Sequence, residues 1–232
     1  MGRRNRGDGA DDAHRVFLTM LDEATQALDV ALAARLGETD VEAASATVAD
    51  LERRADAAEI HLRRLLLVHA SVHGAGDVAA CLTYMSIGKD AERMTDLALG
   101  LCRIAERVPP PPAAVRADLA ELGHMVAAVL ARIGQVIADE DEDGARALIR
   151  QARAAQQACS ARLDDVLRDE AGVEVGPDVA DDWSGWVADA RSQPVALALT
   201  YRHLGRLAAN ALNIASSVVV PLDRLDYPST LE

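Results

Sequence analysis

Two pairs of carboxylates lie at helical spacing in the first half of the chain. Glu92 and Asp96 are four residues apart, and so are Glu52 and Asp56, which Glu59 follows. Residues at this spacing share one face of a helix. Carboxylate oxygens are the ligands that magnesium, manganese and iron prefer, whereas zinc also favours histidine or cysteine. If antiparallel packing brings the two helices together, these side chains can surround a cation.

The alternative interpretation of the same residues is an ordinary solvated surface. Acidic pairs on exposed helices are common, and arginines stand close enough in sequence to neutralise them, as Arg63 does for Glu59. A second set, His69 and His73 with Asp77 beyond them, has the spacing of a zinc or nickel site. We favour a structural role for this set, because His69 falls on the apolar face of its helix and both imidazoles lie in its last turn.

Catalytic residue sets are not recognisable in the sequence. There is no nucleophile–base motif and no phosphate-binding glycine loop, so we expect a protein that is not an enzyme. The cysteines are odd in number and lack the CxxC spacing of metal or redox sites. We predict that Cys81, Cys102 and Cys159 are buried free thiols in a reducing cytoplasm.

The elements that must position these residues are long helices. Apolar residues recur at intervals of three and four, and on the second helix this pattern continues to Val72. It predicts six helices at about residues 14–36, 40–73, 77–108, 114–138, 145–170 and 187–220. Four prolines at 109–112 interrupt the pattern. We therefore predict an all-α fold of two similar three-helix bundles, residues 14–108 and 113–227, with tails at 1–13 and 228–232.

Composition and charge exclude several other classes of protein. Half of the residues are apolar and only 3% are aromatic, which suits packed helices and excludes a disordered chain. The net charge of −13 argues against nucleic-acid binding and against general binding to anionic membranes. Neither a signal peptide nor a spanning segment is apparent, so we expect a cytoplasmic protein that contacts the membrane only through membrane proteins. A homodimer is the symmetric default.

The third predicted helix carries a recognisable motif. The stretch SIGKDAERMTDLALGLCRIAE, residues 86–106, resembles the signature of the PhoU family, with matches at Asp90, Glu92, Arg93 and Asp96. Residues 201–227 resemble the closing segment of many PhoU-domain proteins, and the double three-helix plan is also that family's fold. The chain is thus identified as similar to the PhoU family along most of its length.

The resemblance implies a function and a site. PhoU proteins regulate phosphate uptake and phosphate-starvation signalling through contacts with a sensor histidine kinase and a phosphate ABC transporter. Family members bind metal clusters on acidic surface pairs, which implies iron, zinc, manganese or magnesium at Glu92, Asp96, Glu52, Asp56 and Asp50. The family's pair on the second helix would begin at Asp50, but its partner position holds Arg54. Glu52–Asp56 is displaced by two residues from that register.

Two other expectations complete the prediction. Gly205 and Ala209 align with Glu92 and Asp96, so we expect no metal site in the second unit. The alternatives to a regulator are a metal-storage bundle and a plain oligomeric scaffold. A storage bundle places its acidic residues in the core, whereas the pairs here are predicted to face outward.

Overall fold

Six long helices form the described part of the protein, and the predicted all-α fold is confirmed. The computed structural model describes residues 8–170 and 192–225. The helices are α1 (Asp8–Leu36), α2 (Val41–His73), α3 (Val78–Ala105), α4 (Ala113–Asp139), α5 (Glu142–Glu170) and α6 (Ser192–Ser216). Short 3₁₀ turns lie at Gly74–Gly76 and Leu222–Arg224.

Local sequence explains most of the helix ends. Gly37 ends α1 with φ of +75°, a conformation that favours glycine. The Asp40 side chain accepts a hydrogen bond of 2.7 Å from the backbone N–H of Ala43 and so caps the start of α2. The prolines at 109–112 separate α3 from α4. These are the boundaries that the sequence predicts to within a few residues.

Two helices start earlier than predicted. The first helix starts at Asp8 rather than at residue 14, so residues 8–13 of the predicted tail are helical. Acidic residues in this first stretch interact favourably with the positive end of the helix dipole. The fifth helix starts at Glu142, within the predicted acidic turn, because left-handed Glu140 ends α4 and the Asp141 carboxylate accepts the Gly144 N–H at 3.0 Å.

The third and sixth helices are shorter than predicted. The third ends at Ala105 and the sixth at Ser216, and each is followed by a turn that mixes i→i−3 with i→i−4 hydrogen bonds. The predicted loop at 172–186, the predicted start of the sixth helix at 187 and the predicted C-terminal tail lie outside the described residues.

The helices pack around one continuous core. Helices α1, α2 and α3 contact one another, as do α4, α5 and α6, while α1–α4 and α3–α6 contacts join the two sets. Buried apolar residues from all six helices form a single cluster. The division of the chain into two units therefore stays a prediction, although each set has the expected three helices. The three cysteines are buried and free, as predicted.

The second and third helices form an antiparallel hairpin. Only the short Gly74–Gly76 turn connects them. They approach closely, since a methyl group added at Gly88 of α3 would come within 2.7 Å of Leu62 Cδ2 on α2. This close approach brings the two acidic pairs of the sequence onto neighbouring helices.

By length and composition alone, α4 is apolar enough to cross a bilayer. It packs against α1, α5 and α6, and 44% of its most apolar stretch is buried inside the bundle. The same composition is typical of a core helix in a soluble bundle.

Candidate functional site

Five carboxylates line one side of the α2–α3 hairpin. Glu52, Asp56 and Glu59 lie on α2, and Glu92 and Asp96 lie on α3. Asp56 and Asp96 are exposed, while the three glutamates are half-buried. We call this group the α2–α3 acidic surface. It brings together four of the five residues predicted as metal ligands.

The carboxylates of this surface repel one another. The pKa of Glu92 is raised, first because partial burial disfavours its charged form and then because Glu59, Asp56 and Asp96 carry like charge. The neighbouring Arg93 opposes this rise only in part. The Glu92 carboxylate therefore holds its proton more readily than an isolated glutamate does.

Glu52 has the same behaviour at the other end of the surface. Its pKa is raised by burial first and then by Asp56 and Asp96, against the opposing charges of Arg103 and Arg53. The charge of Asp96 on α3 thus acts on Glu52 on α2, so the two predicted pairs are close enough to interact electrostatically. A cation or a basic side chain entering this surface would relieve the repulsion.

Arginines neutralise only one member of the surface. Arg63 donates a hydrogen bond of 2.6 Å to Glu59, as the sequence suggested. In the part of the chain that the structure describes, the other four carboxylates form no ion pair within 4 Å. Pairing with arginine is therefore observed for Glu59, and the choice between a solvated surface and a ligand site stays open for the four predicted ligands.

Asp50 lies apart from the other predicted ligands. It pairs with Arg53 at 2.8 Å and lies 3.9 Å from Arg54. Arg54 in turn contacts Glu23 of α1 at 3.0 Å. Asp50 therefore lies on the side of α2 that faces α1. The position at which the family's acidic pair would begin is thus not part of the acidic surface.

The donor chemistry of the acidic surface suits a hard cation, because it offers only carboxylate oxygens. As the side chains stand, no three His, Cys, Asp or Glu residues within residues 8–170 and 192–225 converge closely enough to hold a metal ion. Coordination would require the exposed carboxylates to turn towards one another. The metal site stays a prediction.

The histidine pair joins the ends of α2 and α3. Buried His69 donates from Nε2 to the Asp77 carboxylate at 3.0 Å, and its ring stacks on that of His73 with centroids 4.3 Å apart. Stacked rings do not direct their nitrogens towards a common ion. The arrangement favours the structural role, in which the hydrogen bond between His69 and Asp77 connects the end of α2 to the start of α3.

The second half of the chain uses its carboxylates differently. Two nitrogens of Arg162 on α5 donate hydrogen bonds of 2.6 to 2.9 Å to the Asp118 carboxylate on α4. The Tyr201 hydroxyl on α6 donates a hydrogen bond of 3.3 Å to the same carboxylate. The hydrogen bonds from Arg162 are the main reason that the pKa of Asp118 is lowered. Asp165 likewise lies between Arg162 and Arg168, at 3.8 and 3.0 Å.

The position aligned with Glu92 has a different environment. A methyl group added at Gly205 would lie 3.3 Å from the Cβ of Cys159, so α5 and α6 pack closely where the first hairpin carries acid. Burial raises the pKa of the Cys159 thiol to about 11. An apolar seam thus replaces the acidic surface in this half.

Glu59 joins the acidic surface, as the sequence suggested, although it was not in the predicted ligand set. One feature of the site was not predicted from the sequence. The contact of Asp118 with Arg162 and Tyr201 joins residues 44 and 83 positions apart, and no local pattern indicates it.

Comparison with known proteins agrees with this architecture. A family model described as the PhoU domain matches residues 17–108. PhoU from Pseudomonas aeruginosa has a similar structure, with a TM-score of 0.73 over 93% of this chain and 97% of that chain, at 17% identity. The phosphate transport system regulatory protein PhoU from Streptococcus pneumoniae is similar over 97% of this chain and 98% of that one, with a TM-score of 0.70 and 15% identity.

No curated protein sequence matches the chain. At such low identities the solved structures establish the fold alone, while the family model covers α2, α3 and most of α1. The acidic surface lies inside the matched residues, and the Asp118–Arg162 pair lies outside them. Residues 17–108 match the PhoU domain model, and the chain as a whole has a fold similar to that of PhoU proteins.

Proposed function

We propose that this protein regulates phosphate uptake and phosphate-starvation signalling through contacts with a sensor histidine kinase and a phosphate ABC transporter. The observation that carries the proposal is the PhoU fold along nearly the whole chain, together with a PhoU domain in its first half. One of the structural neighbours is itself described as a regulatory protein of a phosphate transport system. The contacts with a kinase and a transporter come from the family resemblance.

The α2–α3 acidic surface is the contact region that we propose. Repulsion among Glu52, Asp56, Glu92 and Asp96 stores unfavourable energy, which basic side chains of a partner would remove on binding. The surface spans about two turns of α2 and about one turn of α3, and the two packed helices hold its charges in a fixed arrangement. Basic cytoplasmic segments of membrane proteins have the complementary chemistry.

The protein acts by recognition rather than by catalysis. Burial raises the pKa of the Cys102 and Cys159 thiols to about 11, so both are protonated and poor nucleophiles at neutral pH. The raised pKa values of Glu52 and Glu92 on the acidic surface follow from burial and like charge, and they need no catalytic role to explain them. We propose that the chain works in the cytoplasm, as a homodimer.

Affinity capture tests the proposed partners. The full chain, cross-linked in phosphate-replete cells of its source organism, is expected to recover a phosphate transporter subunit or a histidine kinase. Glu92→Gln/Asp96→Asn should reduce recovery several-fold, because it removes two of the four unpaired charges. Asp50→Asn is the matched control, since Asp50 lies on the same helix but outside the acidic surface. Recovery of neither partner by the wild type would overturn the proposal.

A divalent cation is a second proposed occupant of the acidic surface. Glu52, Asp56, Glu92 and Asp96 would hold it, and their oxygen-only chemistry suits magnesium, manganese or iron better than zinc. The ion would neutralise the repelling carboxylates and convert a negative patch into one that accepts other partners. Retention of the ion would also be consistent with a metal-storage role, although an exposed surface site suits regulation better than storage.

Metal analysis of protein purified without chelators tests this second proposal. We expect the wild type to retain a divalent metal, Asp50→Asn to retain the same amount, and Glu92→Gln/Asp96→Asn to lose most of it. Equal metal content in all three proteins would place the ion elsewhere, and a metal-free wild type would argue against the site. Partner capture is independent of this result.

A further inference from the structure

A fully buried arginine lies where the two halves of the chain meet. Arg35, in the last turn of α1, has no exposed surface and is the largest fully buried side chain of the described residues. Its Nε donates a hydrogen bond of 3.2 Å to Thr200 Oγ1 on α6, and its Nη1 donates one of 3.3 Å to the Pro109 carbonyl. We call these contacts the Arg35 joint, since they connect α1 to the proline linker at 109–112 and to α6.

The joint compensates the charge of Arg35 incompletely. Within residues 8–170 and 192–225, the guanidinium forms no ion pair, and its buried Nη2 has no hydrogen-bond partner. A side chain without accessible surface is not in contact with water either. Burial therefore lowers the pKa of Arg35, although an arginine stays charged at neutral pH. A buried charge of this kind lowers the stability of the fold.

The hydrogen-bond partners of Arg35 do not depend on it. The Thr200 hydroxyl also donates a hydrogen bond of 2.6 Å to the Ala196 carbonyl. The Pro109 carbonyl also accepts one of 2.9 Å from Gln193 Nε2. An apolar side chain at position 35 would therefore leave neither group without a hydrogen bond, and it would remove the buried charge. Arg35 is thus a residue that the fold tolerates and does not require for its stability.

The proline linker keeps other contacts with α1 and α4. A methyl group added at Gly37, which follows α1, would come within 2.5 Å of Pro110 Cγ. Arg116 near the start of α4 donates hydrogen bonds of 3.2 and 3.3 Å to the Pro111 carbonyl. Arg116 is exposed, so its charge remains hydrated, unlike that of Arg35. The linker is thus held without Arg35, and the joint can open on its α6 side.

The start of α6 is lightly packed. Two of the eight residues 193–200 are buried, against four of the eight residues 201–208. Val195 and Leu199 are 57% and 41% exposed. Separation of this first stretch from the bundle therefore costs less apolar contact than separation of the turns that follow, which belong to the common core.

We propose that the Arg35 joint opens locally, with residues 192–200 separating from α1 and the linker while the rest of the bundle stays folded. Opening breaks the hydrogen bonds that Thr200 and Gln193 make at the joint, but it returns water to the whole guanidinium, including Nη2. Hydration of the charge offsets much of the contact that is lost. The junction of the two halves thereby has a closed and an open arrangement. The proposal does not depend on the regulatory partners proposed above.

Hydrogen exchange of backbone amides in the full chain, followed by mass spectrometry, tests the proposal. In the wild type, amides of residues 197–201 should exchange at least about 10-fold faster than those of residues 207–212 in the same helix. Arg35→Met should slow exchange at residues 197–201 about 10-fold, because the open arrangement no longer gains the hydration of a charge. Its thermal unfolding temperature should equal or exceed that of the wild type.

Two further variants show whether the effect acts through the buried charge. Arg116→Met removes an exposed arginine from the same linker and should leave exchange at residues 197–201 unchanged. Thr200→Val takes an acceptor away from the buried guanidinium, so it should speed exchange there several-fold. In the Arg35→Met background, the same change of Thr200 should have little effect, because no guanidinium is left unsatisfied.

Three results would overturn the proposal. The first is faster exchange, a lower unfolding temperature or a failure to fold in Arg35→Met, which would show that Arg35 stabilises the closed joint. The second is unchanged exchange in that variant, which would assign rapid exchange to ordinary fraying of the helix start. The third is a wild type whose residues 197–201 exchange as slowly as residues 207–212.

Discussion

The two halves of the chain arrange similar helices but use their charged residues in opposite ways. In the α2–α3 hairpin, carboxylates face carboxylates, and burial with like charge raises the pKa of Glu52 and Glu92. Around α5, Asp118 is held by Arg162 and Tyr201, and its pKa is lowered. In the second half, the hydrogen bonds of Asp118 connect α4, α5 and α6. In the first half, the carboxylates of the acidic surface remain available for a ligand, and their mutual repulsion lowers the stability of the fold.

Removing the carboxylate that fastens the second half should have the largest effect. Asp118→Ala leaves Arg162 and the Tyr201 hydroxyl without their shared acceptor, so the free energy of unfolding should fall by about 1 kcal/mol. This value is discounted from that of a buried pair because Arg162 is about half exposed. Chemical denaturation measures it. Asp165→Ala, which removes only exposed pairs, should change stability by less than about 0.5 kcal/mol.

The two halves should respond to pH with opposite sign. A raised pKa means that the folded state binds protons more tightly, so the contributions of Glu52 and Glu92 to stability fall as pH rises through their raised pKa values. Asp118 has a lowered pKa, so its contribution is present above its ordinary pKa and is lost as pH falls through the lowered one.

Unfolding of matched variants at about pH 2.5 and about pH 7 measures this difference, because the lower value lies below the ordinary pKa of an aspartate. Glu92→Gln should gain stability relative to the wild type at the higher pH and lose that advantage at the lower one. Asp118→Asn should lose more stability at the higher pH than at the lower. The same pH trend in both variants would contradict the comparison.

Neutralising one member of the acidic surface should have the smallest effect. Glu92→Gln removes repulsion from Glu59, Asp56 and Asp96, so the free energy of unfolding should rise by about 0.2–0.5 kcal/mol at neutral pH. Added magnesium should reduce this gain, since the wild type would then be stabilised by the cation. Glu121→Gln, at an exposed position of α4, should leave stability nearly unchanged. A clear loss of stability in Glu92→Gln would contradict the account.

The sequence predicted the helices and their apolar faces because both depend on local spacing. Asp50 entered the predicted ligand set through the family resemblance, and at two residues from Glu52 it lies on another face of α2, where it pairs with Arg53. Val72 continues the apolar periodicity of α2, yet its side chain is 72% exposed, so the prediction that it lies on the buried face is wrong. The Asp118–Arg162 contact joins separate helices, and its partners cannot be paired from spacing alone.

The central claim is that Glu52, Asp56, Glu92 and Asp96 of the α2–α3 acidic surface repel one another, while Asp118 of the second half is paired. Titration of individual side-chain carboxyl groups by NMR, with and without magnesium, tests it most directly. The account predicts a pKa of Glu92 above the ordinary range that magnesium lowers, and a pKa of Asp118 below the ordinary range that magnesium leaves unchanged. Ordinary pKa values for both groups, or equal responses to magnesium, would contradict it.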